Sequence, residues 1–396
     1  MIGWFGLACL LCVAHPALAV TPARLIGPDL EARAIEIITL DRQVLNYFDE
    51  QRTLQSADLD HLVQLREIGG QELTDNSGMP GVWLTSGQHF SGNWAGPTED
   101  GAGFRWQHPL IGAVTIPMQE VERVNWVASD AHATRGDTQT SDVLTLINGD
   151  TLSGFISALT KAGVSLVSES GDTTVTIPYG RIASMTLSNP PTQVVEPNHQ
   201  LTLADGTRVL ADRLQMSGGL ISCRVFPPGA SAREIQMPVD ELARIDFWAG
   251  GLRLIDLTDL PRRTTDKPFV FGLPVPLRVS GRSIRMHAPG EVAIDLPHGS
   301  ERFAAVAELD TQDAPATMTD WSDFEVVVSS EDAQPERFRV TGLQPLIRIN
   351  TPAAGRSLTI RLDPGVNGPI LDRLLLRDAV ILVRTPGSGP SDSNGR

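Results

Sequence analysis

Residues 143–187, VLTLINGDTLSGFISALTKAGVSLVSESGDTTVTIPYGRIASMTL, decide the reading of the fold. Apolar and polar residues alternate on both sides of Asn148-Gly149, and an Asn-Gly between alternating runs is a strong hairpin signal because both residues tolerate positive φ. A second strand follows, then a third that ends at Ile177-Pro178, then a short apolar run. The same grammar recurs upstream and downstream. GVWLTSGQHFSGNW (81–94) turns at Ser86-Gly87, and TIPMQEVERVNW (115–126) carries Pro117. LTLADGTRVLADRL (201–214) turns at Asp205-Gly206, and QMPVDELARIDF (236–247) carries Pro238. About thirty residues separate turn glycine from proline in each copy, which is a repeat period.

A divergent copy is expected at 33–65, where AIEIITLDRQVLNYF leads into TLQSADLDHLVQL, with Gln55 in the place of the proline. The spacing of Leu59, Leu62 and Leu65 equally allows a helix over 55–66. Units of about 45 residues are near the lower limit for an independent core. They must either close as small Sm- or SH3-like barrels or share and stack their sheets. The proline belongs at a strand end or sheet edge, because it cannot donate to a ladder. These copies resemble short β-repeats of exported planctomycete-type proteins, a likeness that carries no activity.

The predicted organisation is a leader over 1–19, β-repeats over 20–70, 80–128, 143–188 and 199–250, a different domain over 251–384, and a disordered tail over 385–396. The leader, MIGWFGLACLLCVAHPALA, holds no Lys, Arg, Asp or Glu and ends Ala17-Leu18-Ala19, a small-x-small pattern that predicts export with cleavage after Ala19. An uncleaved anchor is the alternative. No later segment is apolar for the roughly 20 residues a spanning helix needs. With Cys9 and Cys12 in the leader, the remaining Cys223 has no internal disulfide partner and alternates with apolar neighbours as a buried strand residue. The polar segments 128–142 and 188–198 read as linkers, and Arg135-Gly136-Asp137 as a loop sequence. A net charge of −15 repels phosphate backbones, so nucleic acid and anionic membrane are not expected partners. A periplasmic, envelope-associated or extracellular location is expected, with a glycan or another envelope protein as partner.

From Gly251 the turn-to-proline period stops. PLRVSGRSIRMHA, GEVAIDLP, RFAAVAELD, DFEVVVSS, RFRVTG, SLTIRLD and DAVILVR alternate between Gly, Pro and Asp turns, the pattern of a β-sandwich. The whole chain is therefore read as all-β. The segments DLTDLPRR (256–263), MHAPGEVAIDLP (286–297), RFAAVAELD (302–310), DFEVVVSSED (323–332) and GPILDRLLLRDAVILV (368–383) resemble, in order, the NPCBM domain. That family is a carbohydrate-binding type of module noted beside glycoside hydrolases, with a galactose-binding-like (jelly-roll) sandwich. The resemblance implies a ligand site near His287, Asp310 and Asp372. It matches Leu257-Thr258-Asp259-Leu260-Pro261 to the family's start and Asp372 and Asp378 to two acids near its close. Arg373, Leu375 and Leu376 stand where the family often has His, Asp and Trp, which removes an aromatic stacking surface.

Each candidate keeps two readings. His287 either donates to a sugar hydroxyl or satisfies a turn carbonyl. Asp259, Asp372 and Asp378 either hold a structural Ca²⁺ or form turns. Trp321 is either a loop-tip platform or a cap on the core, whereas Trp83, Trp94, Trp106 and Trp126 are expected mostly in the core of one repeat. No GxSxG elbow, HExxH, Walker loop or GxGxxG occurs, so no catalytic residue is assigned. Three functions follow: a non-catalytic, exported glycan-binding or scaffold protein, a structural subunit assembling through its repeats, or a glycan hydrolase of unknown type.

Overall fold

A computed structural model describes residues 20–70, 79–127, 140–169, 171, 173–190, 192, 199–248, 251–265, 277–280, 283–312, 321–369 and 371–385. The leader over 1–19 and the tail beyond 385 lie outside them, as do most of the two linkers. The described chain is all-β, with helix only as single 3-10 turns. No helix among the described residues is long and apolar enough to cross a membrane.

Four units share one strand order. In the third, Asp142–Leu146 pairs Thr151–Thr160, which pairs Gly163–Ser168, which pairs Thr174–Ile177. A 3-10 turn, Tyr179–Arg181, then leads to Ile182–Thr186, which returns to pair the first strand. This is the strand order of a small SH3-like barrel, in which the long second strand bends to serve two sheets. The bend is visible as a register shift between Ile156 and Ala158, and as equivalent shifts at Ile37/Thr39 and Asp212/Gln215. In the second unit the same strand is divided at Gly92, whose φ of 129° no side chain adopts comfortably.

Pro117, Pro178 and Pro238 each cap the 3-10 turn before the closing strand. The register explains why proline is tolerated there. Gly103 faces Pro117, while the next amide, Met118 N, bonds Ala102 O; likewise Leu220 faces Pro238, while Val239 N bonds Gly219 O. The proline thus sits at a position whose own N–H the ladder does not use.

In the first unit that place belongs to Asp58, not to Gln55. Leu54–Asp58 is a strand, Leu59–His61 the 3-10 turn and Gln64–Arg66 the closing strand. Asp58 caps by chemistry instead of ring geometry, its carboxylate accepting from the Asp60 amide at 3.0 Å. The helix over 55–66 is absent. Leu59 and Leu62 are both buried because a 3-10 turn also places residues three apart on one side, and Leu65 is buried as the central residue of the closing strand.

The units are fused through their closing strands. Val121–Asn125 pairs Ile182–Thr186 with Val124 opposite Met185, and Gln64–Arg66 pairs Leu242–Phe247 with Leu65 opposite Ile245. All four central residues stand seven places after the cap (117 to 124, 178 to 185, 238 to 245, 58 to 65) and are fully buried. Two like pseudo-dyads therefore join unit two to three and unit one to four, and the array forms an 18-stranded sheet and a separate three-stranded sheet of unit two (Asn93–Pro97, Gly103–His108, Gly112–Pro117) around one contiguous core. Barrels and shared sheets, the two solutions open from sequence, occur together. Sharing is what lets units this small bury enough apolar surface.

Residues from Leu252 onward build a second core between two sheets. One orders Arg278–Ser280, Ser283–His287, Arg373–Arg384, Ser300–Leu309 and Leu346–Pro352; the other orders Arg262–Thr265, Gly290–Asp295, Ser357–Pro364, Asp323–Ser330 and Glu336–Thr341. The sandwich is tied to the array by polar contacts. Arg66 pairs Asp378 at 3.2 Å, Arg208 pairs Asp259 at 2.8 Å, and Asn350 Nδ2 donates to Asp29 O at 2.9 Å. A wholly buried cluster lies at the same junction. Arg244 meets Asp246 and Asp256, each at 2.9 Å, and Gln64 donates to Asp246 at 2.6 Å.

Candidate functional site

The segment Leu371–Arg373 organises one end of the sandwich. Ala288 N bonds Asp372 O and Asp310 N bonds Arg373 O, both at 2.9 Å, which brings the ends of Ser283–His287 and Ser300–Leu309 against it. On its other side Ser322 Oγ donates to Leu371 O at 3.1 Å, and Asp323 N to the Asp372 carboxylate at 3.1 Å. His287, Asp310, Trp321 and Asp372 thus surround one short piece of chain.

Their chemistry differs. His287 Nδ1 donates to Ala288 O at 2.7 Å, which leaves Nε2 as the acceptor, and burial with the nearby Arg373 charge pulls its pKa down. Asp310 stands 3.7 Å from Arg285 Nε and accepts from the Gln312 amide at 3.1 Å. Trp321 is 66% exposed, yet its segment is pinned, with Asn367 Nδ2 donating to its carbonyl at 3.0 Å. It is not a cap on the core. Leu343 and Val366, next in sequence to Gly342 and Asn367, which bond Ser322 O and Trp321 O, are the most exposed large apolar residues among the described ones.

Asp372 does not offer its carboxylate to a ligand. It is fully buried, and burial raises its pKa to about 6 against the pull of the Asp323 and Gly365 amides. Asp323 beside it stays low, because Arg339 donates to both its oxygens at 2.8 Å.

The three acids considered for Ca²⁺ are not brought together. Asp259 is held by Arg208, Asp378 by Arg66, and Asp372 lies in the sandwich interior. Among the described residues no group of three His, Cys, Asp or Glu side chains has metal-holding geometry. Leu376, matched to the family's lost acid-and-Trp stretch, is a core residue.

Two polar features escaped sequence reading. Ser91, His108 and Asp205 meet between the second and fourth units. His108 Nδ1 accepts from the Leu110 and Ile111 amides at 3.1 and 3.0 Å, so Nε2 carries the proton and donates to Asp205 at 3.0 Å. Ser91 bonds Asp205, not the imidazole, so its hydroxyl has no base as in a catalytic triad. Although burial opposes it, donation from His108, Ser91 and the Thr207 amide holds Asp205 far below the usual carboxylate range. The cluster is an inter-unit latch. Arg123 stacks over Trp83, which stacks on His89, closing the same side of unit two. Of the four tryptophans here only Trp106 is fully buried, Trp94 and Trp126 packing at the core's margin. Cys223 is buried, and burial pushes its thiol to about 12, well away from nucleophilic use.

No family model matches the chain, and no curated protein matches it. Among solved structures it is similar to the CBM51-2 and INT domains of Clostridium perfringens ZmpB, at 13% identity and a TM-score of 0.27 over 45% of this chain and 41% of that one. It spans less than half the length of that structure. It is also similar to the CBM51 of Clostridium perfringens GH95 in complex with methyl-galactose (16% identity, TM-score 0.24, 32% of this chain and 99% of that one). A third is the tandem CBM51 pair of Sp3GH98 from Streptococcus pneumoniae (12%, 0.23, 91% and 88%). With TM-scores this low, no residue correspondence is drawn from them.

Proposed function

We propose that this is an exported, non-catalytic binding protein in which the repeat array is a rigid support and the sandwich end around Leu371–Arg373 holds a glycan. The observation that carries the reading is Trp321, an exposed indole on a hydrogen-bonded segment at the end where His287 and Asp310 also lie. A fixed aromatic face with a few polar groups beside it is how a sugar ring is stacked and oriented. The resemblance of 252–384 to a carbohydrate-binding type of module agrees with that use. With one aromatic platform at this end among the described residues, a monosaccharide binds with millimolar affinity, about 4 kcal/mol. Titration of the full chain with methyl-galactoside and related neutral sugars tests this. Binding that disappears in Trp321→Ala, with the circular-dichroism spectrum unchanged, is expected; neutral sugars that fail to bind, or that bind the variant equally, refute it.

A second reading, assembly through the repeats, is favoured by Thr174–Ile177. This edge strand pairs only Gly163–Ser168 among the described residues, and Thr174, Val175 and Thr176 are exposed. Light scattering of wild type and Val175→Lys distinguishes it: a large assembly lost in the variant supports it, and a monomer in both refutes it.

A further inference from the structure

The two sandwich sheets present outer faces of opposite character. On the second, arginines are matched by acids: Arg337 meets Glu325 and Asp363, Arg361 meets Asp363, and Arg263 meets Asp295. On the first sheet the balance fails. Register places Arg278 directly opposite Arg285, which is opposite Leu375; His287 lies opposite Arg373; and Val306 lies between Arg377 and Arg348. All of these alternate with core residues such as Ile284, Met286, Leu374 and Leu376, so they share the outer face.

Among the described residues, five arginines occupy three successive cross-strand rows of that face, against two carboxylates, Glu308 on Arg377 and Asp310 near Arg285. The surplus is three positive charges (5 − 2) in a chain of net −15. Arg278 and Arg348 are exposed and have no acidic partner among the described residues. Like charges directly opposite across a strand pair destabilise a sheet, so Arg278 against Arg285 is a cost the fold alone does not require. The neighbouring half of the same face is covered. Ala304 and Val380 point outward by register yet are buried where the repeat array packs, beside the Asn350 and Asp378 contacts. The arginine rows are the half left open.

We infer that this open half binds an anionic polysaccharide, a chain carrying carboxylates or sulfates, resting on the proposal that the sandwich is a glycan-binding module. The rows lie about 7 Å apart along the strands, so the arginines repeat at a spacing suited to an extended, repeatedly charged chain, with Leu375 and Leu346 on the same face as apolar contacts. Arginine suits these groups because its planar fork meets a carboxylate or sulfate through two parallel bonds. Among the described residues the face offers no aromatic stacking ladder of the kind single-stranded nucleic acid requires. The acidic remainder of the chain repels a phosphate-rich duplex or an anionic membrane at longer range.

The test uses the full chain in affinity electrophoresis and calorimetry, with polygalacturonate and heparin as acidic probes and dextran as the neutral control. Wild type is expected to bind an acidic probe and not dextran. Binding should weaken at least about tenfold between about 50 and 300 mM sodium chloride, as the Debye length falls from about 14 to 6 Å. The exposed double variant Arg278→Glu/Arg348→Glu should lose at least about tenfold in affinity while melting as wild type, by the same screening-sensitive attraction. The inference is overturned if neither acidic probe binds, if the double variant binds equally, or if phosphatidylglycerol vesicles or oligo-dT bind as tightly as the polysaccharide. Failure of the Trp321 site reads out separately, in the neutral-sugar titration, which the double variant leaves unchanged.

Discussion

Replacing Arg244 by methionine removes the cation that bridges Asp246 and Asp256 at the buried junction. Arg244, Asp246 and Asp256 are 4, 2 and 5% exposed, and the guanidinium meets both carboxylates at 2.9 Å. Gln64 extends the cluster into the first unit, so unit one, unit four and the strand entering the sandwich share one centre. Methionine fills similar volume but leaves two buried carboxylates without their shared cation, and breaking such a buried set by removing one partner costs about 3–5 kcal/mol. For a cooperative body near 200 residues that lowers Tm by roughly 6–20 °C. The pH dependence identifies the cause. Without Arg244 these carboxyls have folded pKa values raised above their unfolded values, so the folded variant binds the extra protons and its stability falls as pH rises. The deficit relative to wild type should therefore be largest near pH 7 and shrink towards pH 4. Chemical denaturation of both proteins at several pH values measures it. A deficit under about 1 kcal/mol, or one independent of pH, would refute the reading that Arg244 neutralises this junction.

Burial lowers the pKa of His199 to about 4 from its ordinary 6.5, so the unfolded chain takes up a proton first as pH falls. Stability is present above about 6.5 and is lost between there and about 4, by about 3 kcal/mol for this one group, and urea unfolding should show a flatter slope in His199→Phe. An unchanged slope contradicts the assignment. Asp58→Ala should cost about 1 kcal/mol through loss of the cap, whereas Asp58→Pro should stay within about 0.5 kcal/mol of wild type. Its φ of −73° suits proline, and the ladder bond beside it is Leu59 N to Gln43 O, not its own N–H. A proline variant less stable than the alanine one would show that Asp58 is not the equivalent of Pro117, Pro178 and Pro238.

The signals legible in the sequence are local ones. Asn148-Gly149, Asp205-Gly206 and the three prolines mark turns and strand ends because positive φ and a missing N–H are properties of single residues. They carry the all-β reading and the period of the units. Alternation after Gly251 likewise marks the sandwich strands; Trp321 stood out after a polar stretch, whereas His287 and Asp310 were singled out only through the family resemblance. Asp58 was not legible as a cap, since an acid satisfies the same amides as other capping groups without resembling a proline. Which units pair, Leu65 with Ile245 and Val124 with Met185, was decided only by tertiary structure. So were the burial of the Asp372 carboxylate, the meeting of His108 with Asp205, and the alignment of Arg278, Arg285, Arg348, Arg373 and Arg377 on one face. Each depends on register between strands far apart in the chain. A shift of one residue reverses the face of every side chain, and no local pattern encodes that register.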